Sequence, residues 1–367
     1  MLSRLDIHRV RNIRQAALFD LGRVNVFSGP NGSGKTSILE AIHILGMARS
    51  FRSASVKSVV QHEQPDLVVF GHISRAGADK GIPVGVKREG SGEADIRVGG
   101  ERVRTVAELV QQLPLQVINA SSFELLTGTP KARRQFLDWG VFHVEHSFLP
   151  VWQRFQRCLK QRNNLLRRDK IDASEMSVWT RELVETGEAI NGLRYSFFEA
   201  LVPRFKAALE ELAPELEGVD LGYRQGWDKR LSFEEALANS GQSDIDQGFT
   251  HIGPQRADIR VTASGHLAAD TLSRGQQKLV ICALKLAQGQ LLSERGVGGN
   301  VYLVDDLPSE LDEQHCRLVC ECLDRLGAQV FITCVDEQDI LGLWPESGAA
   351  PSVFHVEHGV VRAANAP

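Results

Sequence analysis

Residues 29–37 read GPNGSGKTS. They fit the spacing G-x-x-x-x-G-K-[ST], follow the apolar run VNVF (24–27) and open the helical pattern SILEAIHILG (37–46). A glycine-rich turn between a strand and a helix lets backbone N–H groups wrap a phosphate, and the helix N-terminus favours the anion. Gly29, Pro30, Asn31, Gly32, Ser33 and Gly34 form the expected cradle, with Ser37 in the first turn behind it. Lys35 is placed to reach the β and γ oxygens of a nucleotide, and Thr36 to offer its hydroxyl to Mg²⁺.

A P-loop needs a second carboxylate-bearing strand, and VYLVDDLPSELD (301–312) supplies one. The apolar run ends in Asp305, expected to hold the Mg²⁺ that Thr36 also contacts. Asp306 then stands where it can orient or deprotonate an attacking water. Taken alone, a strand ending in Asp-Asp is only a polar strand end. Between the two motifs in chain order lies LSRGQQKLV (272–280), leading into an amphipathic helix. Ser273, Gly275 and Gln276 at such a helix start form a further anion site, because orphan N–H groups and the dipole both favour phosphate. The plain alternative is an ordinary N-cap serine.

Around these motifs the pattern is divided. Up to about residue 120 short strands are expected at 2–11, 23–29, 66–74, 82–89, 94–100 and 115–120, with helices at 34–47 and 105–113. From about 130 the pattern is helical. Met176, Trp179, Leu183, Thr186, Ile190, Leu193, Phe197 and Ala200 repeat at spacings of three and four, as do Trp152, Phe155, Leu159, Arg162 and Leu166. These are the two sides of a short coiled-coil-like hairpin with its turn at 168–174. Strand and helix signals alternate again from about 250. The expected organisation is 1–125 and 249–367 as the two parts of one α/β domain, with a mainly helical arm, 126–248, inserted between them.

Composition limits the function classes. The 367 residues are 43% apolar, enough for a substantial core, and carry a net charge of −4. That excludes a polybasic protein but not a local basic face. No 18-residue apolar run occurs and the N-terminus alternates apolar and charged residues, so a soluble cytoplasmic protein is expected. The six cysteines are scattered, which points to free thiols. HVEH occurs twice, at 143–146 on a helical pattern and at 355–358 in a hairpin pattern; the repeat is a coincidence of letters rather than a metal site. Residues 151–170 carry Arg154, Arg157, Lys160, Arg162, Arg167, Arg168 and Lys170 against Asp169 alone. Such a strip is either a solvated face or a salt-dependent phosphate-binding surface.

The order of the three motifs resembles that of ABC-type ATPases, and the chain as a whole resembles the RecF family, relatives of SMC-type heads with a shortened arm. The resemblance rests on RNIRQ (11–15), GPNGSGKTSILEAI (29–42), ARSFRS (48–53), SSFELLTGTPKARRQFLDWGVFHVE (121–145), HIGPQRADI (251–259), LSRGQQK (272–278) and DDLPSELD (305–312). It implies an ABC-type P-loop ATPase head with an inserted helical arm. It further implies that Ser273, Gly275 and Gln276 cap the γ-phosphate of ATP held by a second copy, that Arg11 lies beside the nucleotide, and that 309–312 faces the partner. The implied activity is weak, DNA-stimulated hydrolysis by an ATP-dependent homodimer. The implied role is binding DNA at gaps or junctions in recombinational repair and replication, helping to load recombinase with RecO and RecR, and supporting SOS induction. The arm strip becomes a candidate DNA surface. The ATPase subunit of a membrane transporter, or a binding switch with vestigial hydrolysis, are the rival readings. Three departures stand out: no Gln follows the strand LQVINA (115–120), which leaves Asn119 or a neighbour in its place; FITCVDE (331–337) offers no His after the last core strand; and Gln255 stands where the family typically has His.

Overall fold

The computed structural model describes residues 1–74 and 81–364. The chain forms two compact units, one of Met1–Ser122 with Leu284–Pro367 and one of Phe123–Ala283.

The first unit holds two sheets. One is ordered Val360–Ala363, Ser352–Glu357, Val24–Ser28, Gln329–Cys334, Val301–Val304, Leu115–Ile118. All its neighbours are parallel except the terminal Val360–Ala363 hairpin strand. Its three central strands are buried along their whole length, as apolar runs in a parallel sheet covered on both faces require. The other sheet is antiparallel, ordered Ile13–Leu18, Leu2–Val10, Asp66–Ile73, Ile82–Glu89, Ala94–Val98, Glu101–Arg102. Asp66–Ile73 alternates half-buried and buried residues, so one face turns inward. That face meets the helix Lys35–Met47: Leu5, Ile7, Val69 and Val84 share one core with Ile38, Leu39, Ile42 and Leu45, and with Leu303 and Phe331 of the parallel sheet. The P-loop helix is therefore clamped on two sides, which fixes its N-terminus.

All six strands expected in the first 120 residues are present. Ile13–Leu18 is an addition; its burial pattern of two exposed residues between buried ones breaks strict alternation, and only its pairing with Leu2–Val10 reveals it. The helix expected at 105–113 is confined to Val106–Val110, opened by a Thr105–Glu108 capping box.

The second unit is built on Pro130–Val144, Phe148–Leu166, Ala173–Leu212 and Phe233–Gln247, with a small sheet of Val219–Arg224, Asp258–Ala263 and His266–Leu267. Phe148–Leu166 and Ala173–Leu212 form the expected hairpin, and Asp172 caps the second helix by accepting the N–H groups of Ser174 and Glu175 at 2.8 and 3.0 Å. Leu183, Thr186, Ile190 and Phe197 are buried along the expected seam with Phe155 and Leu166. Asp258–Ala263 pairs over six residues with Val219–Arg224, and Arg133 binds Asp258 at 2.7 Å, so residues 249–283, with Ser273 among them, group with the helices. The helix carrying His143 ends at Val144, so His146 lies beyond it and cannot share its face. In the second copy, His355 is exposed on a strand and His358 sits in the turn at φ 47°. All six cysteines are buried and outside disulfides.

Candidate nucleotide site and arm surface

The loop between Val24–Ser28 and Lys35–Met47 turns through three glycines at positive φ: Gly29 at 145°, Gly32 at 79° and Gly34 at 121°. A Cβ on Gly29 would stand 2.1 Å from the Val356 carbonyl oxygen, so only glycine fits there. The Lys35 ammonium donates to the carbonyls of Gly29 at 2.6 Å and Pro30 at 3.1 Å, folding over the loop. The Ser33 hydroxyl is buried without a hydrogen-bond partner. An orphan donor, a mobile cation and a nest of turned backbone suit a phosphate chain. Asn12 braces the loop from below: its amide donates to the carbonyls of Gly32 and Ser33 at 3.3 and 3.1 Å, and its oxygen accepts from Ser37 at 3.0 Å.

Thr36 donates to Asp305 Oδ1 at 2.9 Å, and Thr333 donates to the same oxygen at 2.8 Å. Burial pushes the Asp305 carboxyl above its ordinary range, against the bonds from Thr333 and Thr36; Asp306 pushes in the same direction and Arg52 opposes it. A half-buried carboxylate beside a hydroxyl is a hard-oxygen donor set that fits Mg²⁺, since the cation's charge would offset that desolvation. Asp306 follows at φ 56°, ψ 46°, left-handed for a residue with a side chain. Its N–H donates to Thr333 Oγ1 at 2.9 Å.

Arg11 is held by Glu40, a fully buried carboxylate on the P-loop helix, through two bonds of 2.8 Å. Its guanidinium is therefore neutralised where it stands, and Glu40 also accepts from Ser50. Arg52, two residues on, is exposed. Asn119 spends its side-chain oxygen on the turn that follows it, accepting from Ser121 and from the backbone and hydroxyl of Ser122. Gln116, the glutamine within that strand, is buried and bonds the carbonyl of Lys285. Gln255 Nε2 donates to the Ile252 carbonyl at 2.7 Å, closing its own turn.

Ser273 and Gln276 bond each other reciprocally: the Ser273 N–H donates to Gln276 Oε1 at 2.9 Å, and the Gln276 N–H to Ser273 Oγ at 3.3 Å. This is a capping box on the helix Arg274–Glu294. Ser273, Arg274 and Gly275 are exposed, and a Cβ on Gly275 would meet nothing within 4 Å, so the helix start lies open.

The arm strip is less basic than its sequence. Arg162 is a correction: it is 4% exposed and donates to Asp244 at 2.8 Å and Thr250 at 2.6 Å, a core ion pair with no surface for DNA. It belongs to the hairpin seam, where burial requires pairing. Arg154 is bound by Glu182 and Glu185, Arg168 by Glu175, and Arg167 donates to the Gly248 carbonyl. Arg157 and Lys160 are exposed and form no ion pair among the described residues. Arg133 is likewise spent on Asp258, at 2.7 Å.

Sequence reasoning missed Asn12, Glu40, Arg52 and Thr333. Asn12 lay within the RNIRQ stretch and Arg52 within ARSFRS, but nothing in either stretch says which side chain faces the loop.

Known proteins bear on this geometry. The family model described as the RecF/RecN/SMC N terminal domain matches residues 1–358. A protein of Pseudomonas aeruginosa (strain LESB58) named DNA replication and repair protein RecF is 51% identical over 98% of this chain and 97% of its own length. The protein of the same name from Stutzerimonas stutzeri (strain A1501) is 50% identical over 100% of this chain and 98% of its own. A solved structure of the recombination mediator protein RecF-ATP in the RecFOR pathway has the same fold, with a TM-score of 0.83 and 23% identity over 99% of this chain and 97% of that one. With the P-loop, the paired aspartates and the inserted helical unit in place, this chain belongs to the RecF/RecN/SMC family and, within it, to the RecF proteins.

Proposed function

We infer that the protein is an ATP-binding, slowly hydrolysing DNA-repair and replication head that dimerises on ATP and closes on DNA at gaps or junctions. The observation that carries this reading is the convergence of Thr36, Asp305 and Thr333 within 2.9 Å at the open end of the P-loop. The near full-length likeness to proteins named for DNA replication and repair supports the cellular role.

Thr36 and Asp305 would hold Mg²⁺, which would supply charge neutralisation along the phosphate chain. The chain's own residues do the rest. The turned backbone of 29–34 orients the phosphates, and Lys35 exchanges loop carbonyls for phosphate oxygens. Asp306, presented by its left-handed turn, accepts the proton of a water. Ser273 and Gly275 are exposed and Gln276 half-buried at the helix start that would meet the nucleotide of a second copy. Helping to load recombinase with RecO and RecR, stimulation of hydrolysis by DNA, SOS induction and a cytoplasmic location follow from family likeness. No described helix is long and apolar enough to cross a membrane.

Molecular mass in solution, measured with and without Mg·ATP and a gapped duplex, tests the reading. A doubling of mass on ATP and a further complex with DNA are expected; a mass unmoved by ATP overturns it.

A further inference from the structure

We propose that Thr333 is the positioning residue of this head, its single hydroxyl joining the metal-side carboxylate of Asp305 to the backbone turn that presents Asp306. The inference rests on the hydrolysis reading above and deepens it.

The parallel ladder between Val301–Val304 and Gln329–Cys334 has its last register pair at Val304 and Ile332. Beyond it the two aspartates need other partners for their amides. The Asp305 N–H finds the Ile118 carbonyl of the neighbouring strand at 2.9 Å. The Asp306 N–H finds no carbonyl there; it donates instead to Thr333 Oγ1 at 2.9 Å, just as the chain enters the left-handed region. The hydroxyl has one proton, and it is given to Asp305 Oδ1 at 2.8 Å. Both bonds therefore fix the hydroxyl in one rotamer and tie the Asp305 carboxylate and the Asp306 backbone to one atom. Thr36 donates to the same Oδ1, which leaves Oδ2 to face elsewhere.

A left-handed aspartate is a strained position that persists only where its surroundings hold it. Thr333 is fully buried, so it acts through the aspartates rather than on a substrate. It also lies in FITCVDE, the stretch that lacks the histidine usual in related heads. Its strand is the central one of the sheet, so the anchor is rigid.

The test uses Thr333→Val, which keeps shape and removes the hydroxyl, with Thr333→Ser restoring it and Thr333→Ala as a second hydroxyl-free variant should the valine protein not fold. In the nucleotide-free protein, amide hydrogen exchange at Asp306 should accelerate at least about tenfold in the hydroxyl-free variants and not in Thr333→Ser. Steady-state ATPase should lose about tenfold or more in kcat with KM for ATP little changed, again rescued by serine. Unaltered exchange at Asp306, or serine failing to rescue, overturns the inference. A wild-type protein without ATPase would overturn the hydrolysis reading instead, and the exchange measurement would still decide the role of Thr333.

Discussion

Thr36 and Asp305 are 269 residues apart in the chain, and their side-chain oxygens are 2.9 Å apart in the fold. Asp305 directly follows one buried strand of the parallel sheet and Thr36 lies in the first turn of the helix after another, so the sheet brings hydroxyl and carboxylate together at its C-terminal edge, where open α/β sheets bind ligands. Asp305 stands there above its ordinary pKa because burial outweighs its hydrogen bonds.

Asp305→Asn and Asp306→Asn should therefore separate. Asp305→Asn removes the carboxylate expected to face the cation, and Mg²⁺-dependent ATP binding should fall by about tenfold or more. Lys35→Ala should abolish ATP binding altogether. Asp306→Asn keeps the shape of the turn but cannot accept a proton; ATP binding and dimerisation should persist while turnover falls about 10²-fold. Titration calorimetry and steady-state ATPase on the three variants check this, and wild-type turnover in Asp306→Asn removes the assigned base.

Ser273→Arg places a long cation on an exposed helix start whose neighbour Gly275 has open space above it. Nucleotide binding by the single chain should be unchanged and ATP-dependent dimers lost. Ser273→Ala breaks the bond to the Gln276 N–H and should cost about 1 kcal/mol of helix stability. Analytical ultracentrifugation with ATP separates the effects: normal dimers in Ser273→Arg would leave the serine as a cap and nothing more.

Arginines of the arm should divide into structural and surface groups. Arg162→Ala takes the guanidinium from the buried Asp244, which His251 still bonds, and should lower stability by about 3 kcal/mol, read from denaturant midpoints. Arg157→Glu should leave stability within about 0.5 kcal/mol. It should weaken binding to every DNA sequence and flatten the dependence of affinity on salt. Reversal at Arg154 or Arg168 should do less, because glutamates already neutralise both. A salt slope unmoved by Arg157→Glu would place DNA away from the arm.

His43 and His143 are held down to about 4 by burial, whereas an unfolded histidine titrates near 6.5. The unfolded chain then binds more protons than the folded one between those values, so their contribution is complete above pH about 6.5 and is lost as pH falls toward 4. Each histidine is worth at most about 3 kcal/mol across the window. His143 lies between Trp139 and Phe142 with Nε2 unpartnered, so His143→Gln should reduce the slope of stability against pH below 6.5. Denaturant unfolding at several pH values measures it, and an unchanged slope refutes the assignment.

The amino-acid sequence by itself determined the α/β class, the P-loop, the two aspartates, the capped helix at Ser273 and the helical hairpin. Each depends on spacing within one stretch: glycines at a strand-to-helix turn, apolar residues at three and four along Ala173–Leu212, a polar end to a buried run. Tertiary structure decided who partners whom. Arg162 and Arg157 lie on the same helix with the same side chain, yet one is a core ion pair with Asp244 and the other an open cation, because a residue 82 positions away reaches only the first. Arg11 is quenched by Glu40, Asn12 braces the P-loop, and Thr333 holds both aspartates, all through contacts across strands or helices. The six-residue pairing of Asp258–Ala263 with Val219–Arg224 is likewise a contact between separated stretches of the chain. Local periodicity shows which face of an element is apolar; the opposing side chain that neutralises a charge or holds a hydroxyl comes from elsewhere in the chain, and only folding brings it there.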